Sequence, residues 1–121
     1  MNNFQGTRKY DLEDRTFQFA VCIRRFVKKL INNLANREDI SQLVNSSGSV
    51  GANYIEANEA ISKKDFFHRI KICRKESKES RYWLRLLDLG LHEDLEDERN
   101  KLIQESTELM NIFGAILKKS I

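Results

Sequence analysis

The chain contains no proline in 121 residues, only five glycines, two cysteines and one tryptophan. Proline inside a helix removes a hydrogen-bond donor and collides with the preceding turn, so its absence leaves long uninterrupted helices open throughout. Cys22 and Cys73 lack CxxC spacing, which argues against both a disulfide framework and a cysteine metal site. A reducing cytoplasm is the expected location. The N-terminal stretch lacks the apolar core of a secretory segment, and no apolar run approaches the roughly 20 residues that span a bilayer, so no membrane association is expected. Sustained apolar–polar alternation bounded by turn residues is also missing, which removes the main signal for strands.

What remains is 40% hydrophobic and 32% charged, enough for one core under a generous polar surface. The length fits a single domain, which most often holds roughly 100–150 residues. Residues 1–11 read as a polar arm, and residues 12–121 as an all-α domain. A first helix is expected over about Leu12–Leu34, where Phe19, Ile23, Phe26, Val27, Leu30, Ile31 and Leu34 recur at three- and four-residue steps. Asp39 with Gln42 fits a capping box for a second helix carrying Leu43, Ser47, Val50, Gly51, Tyr54 and Ile55 inward. Two helical glycines, Gly48 and Gly51, each cost about 1 kcal/mol relative to alanine and imply close packing in return.

A third helix opens on Ser62-Lys63-Lys64-Asp65, an S-x-x-D capping box, with Ile61 and Phe66 as its hydrophobic staple. Its seam runs through Phe66, Ile70, Cys73, Ser77, Ser80, Leu84 and Leu87, and Gly90 is placed to end it in the left-handed conformation. A fourth helix begins near Glu93 with acids in its first turns and ends near Lys118 and Lys119, matching the helix dipole. Four amphipathic helices joined by short connections point to an antiparallel up-and-down bundle.

No reaction is legible. Asp65-x-x-His68 resembles half of a di-iron ligand pair, but that chemistry needs a second pair and further inward carboxylates. Gly48-Ser49-Val50-Gly51 lacks the lysine of a phosphate loop. No catalytic residue, metal or cofactor is expected. Polar residues near the interior, Asn53, Glu56, Glu76 and Glu79, read either as a buried network that fixes register or as ordinary surface pairing. Tyr82 and Trp83 lie among cations, as base-stacking surfaces do, yet point apart on a helix and suit a helix or subunit interface.

Charge is divided along the chain. Residues 62–85 hold nine Lys/Arg against three acids, a balance of +6, while residues 86–108 hold eight acids against Arg99 and Lys101, a balance of −6. The two segments either pack against each other or leave a basic stripe for nucleic acid. Candidate phosphate contacts are Arg24, Arg25, Lys28, Lys29, Lys63, Lys64, Lys71, Lys78 and Arg85. The alternative is a protein-interaction scaffold whose charges serve subunit or partner contacts alone.

Three segments carry a family likeness: Gly51-x-Asn53-x-x-Glu56-Ala57, Ser62 to Phe66, and the run from Lys75 through Glu79 to Leu84. Together they resemble the bacterial four-helix bundle proteins encoded in intervening sequences of 23S ribosomal RNA genes. The resemblance implies a left-handed bundle that assembles as a homopentamer. It also implies similarity to the accessory variability determinant proteins of diversity-generating retroelements, which bind nucleic acid and a reverse transcriptase. Cys73 and Ser77 stand where the family pattern favours alanine, a departure that close packing tolerates. The expectation is a non-enzymatic, oligomeric bundle offering basic surfaces to RNA or DNA.

Overall fold

Asn33, rather than Asp39, starts the second helix, and this one shift re-draws the first connection. The computed structural model describes residues 8–120, with side chains from Leu12 onward. Its helices are α1 (Arg8–Val27), α2 (Leu34–Asn58), α3 (Lys63–Leu86) and α4 (Glu93–Leu117), followed by a single 3₁₀ turn at Lys118–Ser120. α1 is already helical inside the stretch read as a polar arm. The rest of that arm, residues 1–7, lies outside the described residues.

α1 stops at Val27, seven residues short of expectation, and Lys28–Leu30 turn instead. The Asn33 side chain accepts the backbone N–H of Asn36 at 2.8 Å, which is the N-cap bond. Asn36 itself is fully buried. Its Nδ2 donates to the carbonyls of Ile31 (3.0 Å) and Asp88 (2.8 Å), and its Oδ1 accepts the N–H of Asp88 (2.9 Å). One amide side chain therefore ties the α1–α2 turn to the α3–α4 loop and satisfies three backbone groups that burial would otherwise orphan.

The cap expected for α3 is present: Ser62 Oγ accepts the N–H of Asp65 at 3.1 Å. Its staple is not, because Ile61 is 95% exposed and cannot clamp Phe66. Gly90 takes φ +68 but lies beyond the helix end, in the loop where Leu87 and Leu89 turn inward. It serves that loop rather than the helix terminus, and its N–H donates to Asp88 Oδ1 at 2.9 Å.

Cross-helix contacts fix the topology. Ser46 meets Ser80 and Val50 meets Cys73 between α2 and α3, while Asn58 meets Glu13 and Gly51 lies over Thr16 between α1 and α2. Arg15 reaches Glu105 between α1 and α4, and Arg81 reaches Thr107 between α3 and α4. With Lys29 meeting Glu98 after α1 and Arg74 lying beside Gly114 of α4, one residue number rises as the other falls in every pair, so all neighbouring helices run antiparallel. The described chain is an all-α four-helix bundle in up-and-down order.

The core is built from Phe19, Ile23 and Phe26 of α1, Leu43, Val50 and Tyr54 of α2, Ile70, Cys73 and Leu84 of α3, and Leu102, Leu109 and Phe113 of α4. Tyr54 and Phe113 meet across it with ring centres 5.9 Å apart. Ile55, expected inward, is 53% exposed. Between α2 and α3 the core is small and polar: Ser46, Ser47, Ser77 and Ser80 are all buried. Each donates to a carbonyl three or four residues back in its own helix, so none needs water. The Cys73 thiol donates across to the Val50 carbonyl at 3.4 Å, and burial pushes its pKa up to about 12, so it stays a thiol.

The two helical glycines differ in what they face. A Cβ at Gly51 would sit 3.0 Å from Thr16 Oγ1 and 3.3 Å from Thr16 Cβ. Thr16 is β-branched, buried and bonded to the Leu12 carbonyl at 2.7 Å, so it cannot yield. A Cβ at Gly48 meets only the far end of the Arg24 side chain. Gly48→Ala is therefore expected to stabilise the bundle by up to about 1 kcal/mol through helix propensity. Gly51→Ala is expected to destabilise it by about 1–2 kcal/mol through overpacking. Urea melts of both variants check the pair, and equal shifts would contradict the packing asymmetry.

Candidate nucleic-acid interface

The rotation of α3 about its own axis decides which charges reach solvent. With Ile70, Cys73, Ser77, Ser80 and Leu84 turned inward, residues seven apart on the opposite side fall on one line. Lys64, Lys71, Lys78 and Arg85 are those residues, and all four are exposed. The row is roughly 30 Å long, with a cation about every 10 Å. Arg74 and Arg81, again seven apart, lie beside it on the flank toward α4: Arg74 lies 3.7 Å from the Cβ position of Gly114, and Arg81 donates to Thr107 Oγ1 at 3.3 Å.

The acids of α3 occupy its other flank. Asp65, Glu76 and Glu79 share helical spacing with Arg69, which donates to Asn53 Oδ1 of α2 at 3.0 Å. The helix is thus sorted around its axis as well as rich in cations.

Three acids of α4 are engaged by α1 and the turn that follows it. Arg15 of α1 holds Glu105 through two bonds of 2.7 and 2.8 Å and Glu108 through a third of 2.8 Å. Hydrogen bonding to Glu105 raises the Arg15 pKa further, and bonds from Gln104 and Arg15 hold the Glu108 carboxyl below its usual range. Lys29, in the turn after α1, binds Glu98 at 3.0 Å. The remaining ion pair is internal to α3, Lys75 to Glu76 at 3.6 Å. Among the described residues no carboxylate of α4 pairs with a cation of α3.

The other expected positions fall as follows. Lys28 and Lys29 lie in the turn rather than on a helix, and Lys29 is engaged by Glu98. Arg24 and Arg25 are exposed in the last turn of α1, and Arg24 donates to the Ala20 carbonyl. Lys63 and Lys64 open α3. Asn53 joins Arg69, while Glu56 and Glu79 are exposed and share no hydrogen bond with it. Tyr82 is 55% exposed, edge-on to the half-buried Trp83 with ring centres 5.0 Å apart. Arg74 and Arg81, absent from the expected set, are placed beside the row by the same seven-residue spacing, which the sequence carries openly.

Chain comparisons now bear on this geometry. Residues 8–115 match the family model described as 23S rRNA-intervening sequence protein. The chain belongs to that family. A crystal structure from Bacteroides thetaiotaomicron, described as a protein of unknown function from the S23 ribosomal protein family, is 30% identical with a TM-score of 0.72. The likeness covers 88% of this chain and 97% of that one. Curated proteins give no match. Family members of this kind therefore supply the fold and no assigned activity. Among the described residues no three His, Cys, Asp or Glu side chains group as metal ligands, and no helix is long and apolar enough to cross a membrane.

Glu76 of α3 sits in surroundings that oppose its charge. Its side chain is 16% exposed, and burial, then repulsion from Glu79, raises its pKa above the ordinary 4.5. Lys75 pulls the other way but is 61% exposed at 3.6 Å, so screening leaves burial dominant. A raised folded-state pKa means Glu76 stabilises the fold only while protonated, and this is lost as pH rises through the folded value. Glu76→Gln is expected to raise the melting temperature at pH 7, with the gain vanishing below about pH 4.5. Thermal melts at both pH values check it, and a lower melting temperature at pH 7 would contradict it.

Proposed function

We propose that this protein is a non-enzymatic, oligomeric bundle that binds RNA or DNA through phosphate contacts, with little dependence on sequence. The observation that carries this reading is the exposed row Lys64–Lys71–Lys78–Arg85, none of which makes an ion pair among the described residues, while Arg15 and Lys29 hold Glu98, Glu105 and Glu108 of α4. Evenly spaced cations on a straight helix suit a repeating polyanion, since each neutralised phosphate releases counterions regardless of base identity. Arg24, Arg25, Lys28 and Lys63 add positive charge outside the row.

Assembly belongs to the same proposal. Phe17 (61% exposed) and Ile55 flank an apolar groove between α1 and α2, and Tyr82 and Leu86 (48% exposed) lie on α3, which is area that subunit contact would cover. The similarity to retroelement accessory proteins that the sequence resemblance implies is the motive for proposing a left-handed homopentamer and, through it, a reverse transcriptase as partner. A cytoplasmic site suits the exposed Cys22 thiol. The scaffold alternative, in which α3 would pair with α4, has no α3–α4 ion pair among the described residues to support it, and the same exposed row would then serve a subunit or partner contact.

Two measurements test the reading. Fluorescence anisotropy with a labelled single-stranded oligonucleotide is expected to give a log-affinity against log-salt slope of about −3, as four or five phosphate contacts require. Lys71→Glu with Lys78→Glu is expected to flatten that slope by about 1–2 units without changing the melting temperature. Absence of binding at 50 mM salt would overturn the reading. For assembly, light scattering is expected to give five times the 14.2 kDa chain mass, and a monomer at tens of micromolar would refute the pentamer.

A further inference from the structure

The cation row does not end in open surface. At the α3 start, Lys63, Lys64, Phe67, His68 and Lys71 meet Lys119 from the 3₁₀ turn after α4 around an open cleft of about 570 Å³. A second cleft of about 520 Å³ adjoins it, sharing Lys63, Phe67 and Lys119 and adding Ile61 and Phe66. Both volumes fall in the roughly 300–1,000 Å³ range of small-molecule sites. Among the described residues no carboxylate lines either cleft. The two clefts differ in balance: four lysines border the first, whereas Ile61, Phe66 and Phe67 stand beside two lysines in the second. Phe67 stands between them, half-buried and fixed edge-on by Phe66 with ring centres 5.2 Å apart.

A ligand that fills both must carry an anionic group and a flat apolar one a few ångströms apart. A nucleotide has that form. Lysine ammonium groups bind phosphate as point charges, and an aromatic face stacks any base. Lys64 and Lys71 belong both to this cleft and to the row, so the site lies at one terminus of the proposed phosphate track. A strand end seated here presents a terminal phosphate, which carries more negative charge than an internal phosphodiester and so gains more from the clustered lysines. Ile61, left out of the core, then has an apolar neighbour to cover.

We infer that this end of the bundle is a strand-end site that holds a terminal phosphate among Lys63, Lys64, Lys71 and Lys119 and its base against Phe67. The inference rests on the nucleic-acid reading and adds a preference to it: strand ends over internal segments, and phosphorylated ends over hydroxyl ends. Lys63 and Lys119 contribute to the site but not to the row, and Lys119, from outside α3, separates the two functions most cleanly.

The test uses three single-stranded 12-mers with an internal fluorophore, bearing a 5′-phosphate, a 3′-phosphate or hydroxyl groups at both ends. One phosphorylated oligonucleotide is expected to bind the full chain about ten-fold tighter than the hydroxyl-ended one, the gain from charge-assisted bonds. Lys119→Glu is expected to abolish that preference while leaving the hydroxyl-ended affinity within about two-fold. Phe67→Leu, which keeps apolar bulk, is expected to weaken the preferred oligonucleotide several-fold at unchanged melting temperature. Equal binding of all three, or an equal loss for all three in Lys119→Glu, would overturn the strand-end site while leaving the row intact. Displacement by millimolar nucleoside monophosphate, with no gain from a terminal phosphate on the strand, would assign the clefts to free nucleotide and overturn it too. Binding of none of the three would overturn both this site and the reading beneath it.

Discussion

The contact between α2 and α3 governs the rest of the molecule. Ser46, Ser47, Ser77, Ser80 and Cys73 are small enough to let the two helices approach closely, and each polar atom is satisfied by its own helix or by the facing one. Larger side chains would widen the spacing, because interaxial distance follows the residues at the contact. Close contact also fixes rotation, since only one face of α3 is small. Once that face turns inward, the line opposite it must face solvent. The position of every lysine in the row follows from where the serines are.

Electrostatics then completes what packing begins. An acidic α4 beside a basic α3 would ordinarily cancel much of the field, since opposite charges near a surface attract at several ångströms. Here α1 intervenes. Arg15 holds two glutamates of α4 with a planar, multiply donating head, the geometry in which arginine outperforms lysine. Lys29 engages a third acid where the chain leaves α1. The acid-rich side of α4 thereby belongs to α1, and the opposite corner of the bundle keeps its positive charge. Such pairs add little stability individually. Their consequence is the distribution of field over the surface.

Much of this was legible in the chain itself. The absence of proline, the Ser62 cap and the seam from Phe66 to Leu87 announced four helices and the inward face of α3. The end of α1 was not legible, because Leu30, Ile31 and Leu34 continue the apolar period past Val27 while the chain has already turned. Periodicity reports which residues are apolar and carries no information on where hydrogen bonds stop. The start of α2 was missed for a related reason: Asn33 and Asp39 both suit a cap, and the choice is made by Asn36, whose partners lie 52 residues away in the α3–α4 loop. Ile61 shows the same limit, since a capping box is local whereas a staple needs a neighbour placed by the whole fold. The candidate interface was half legible. Its residue types and net charge were plain, and so was the seven-residue spacing that aligns Lys64, Lys71, Lys78 and Arg85. That α4 gives its acids to α1 could be learned only from the packed structure.

The central claim is that the outer face of α3 is the principal surface that meets a polyanion. Lysine acetylation footprinting, read by mass spectrometry with and without a saturating single-stranded oligonucleotide, addresses it residue by residue. The account predicts protection of Lys64, Lys71 and Lys78, with Lys29 and Lys101 modified at the same rate in both samples. Uniform protection of all lysines, or protection confined to Lys29 and Lys101, would contradict it.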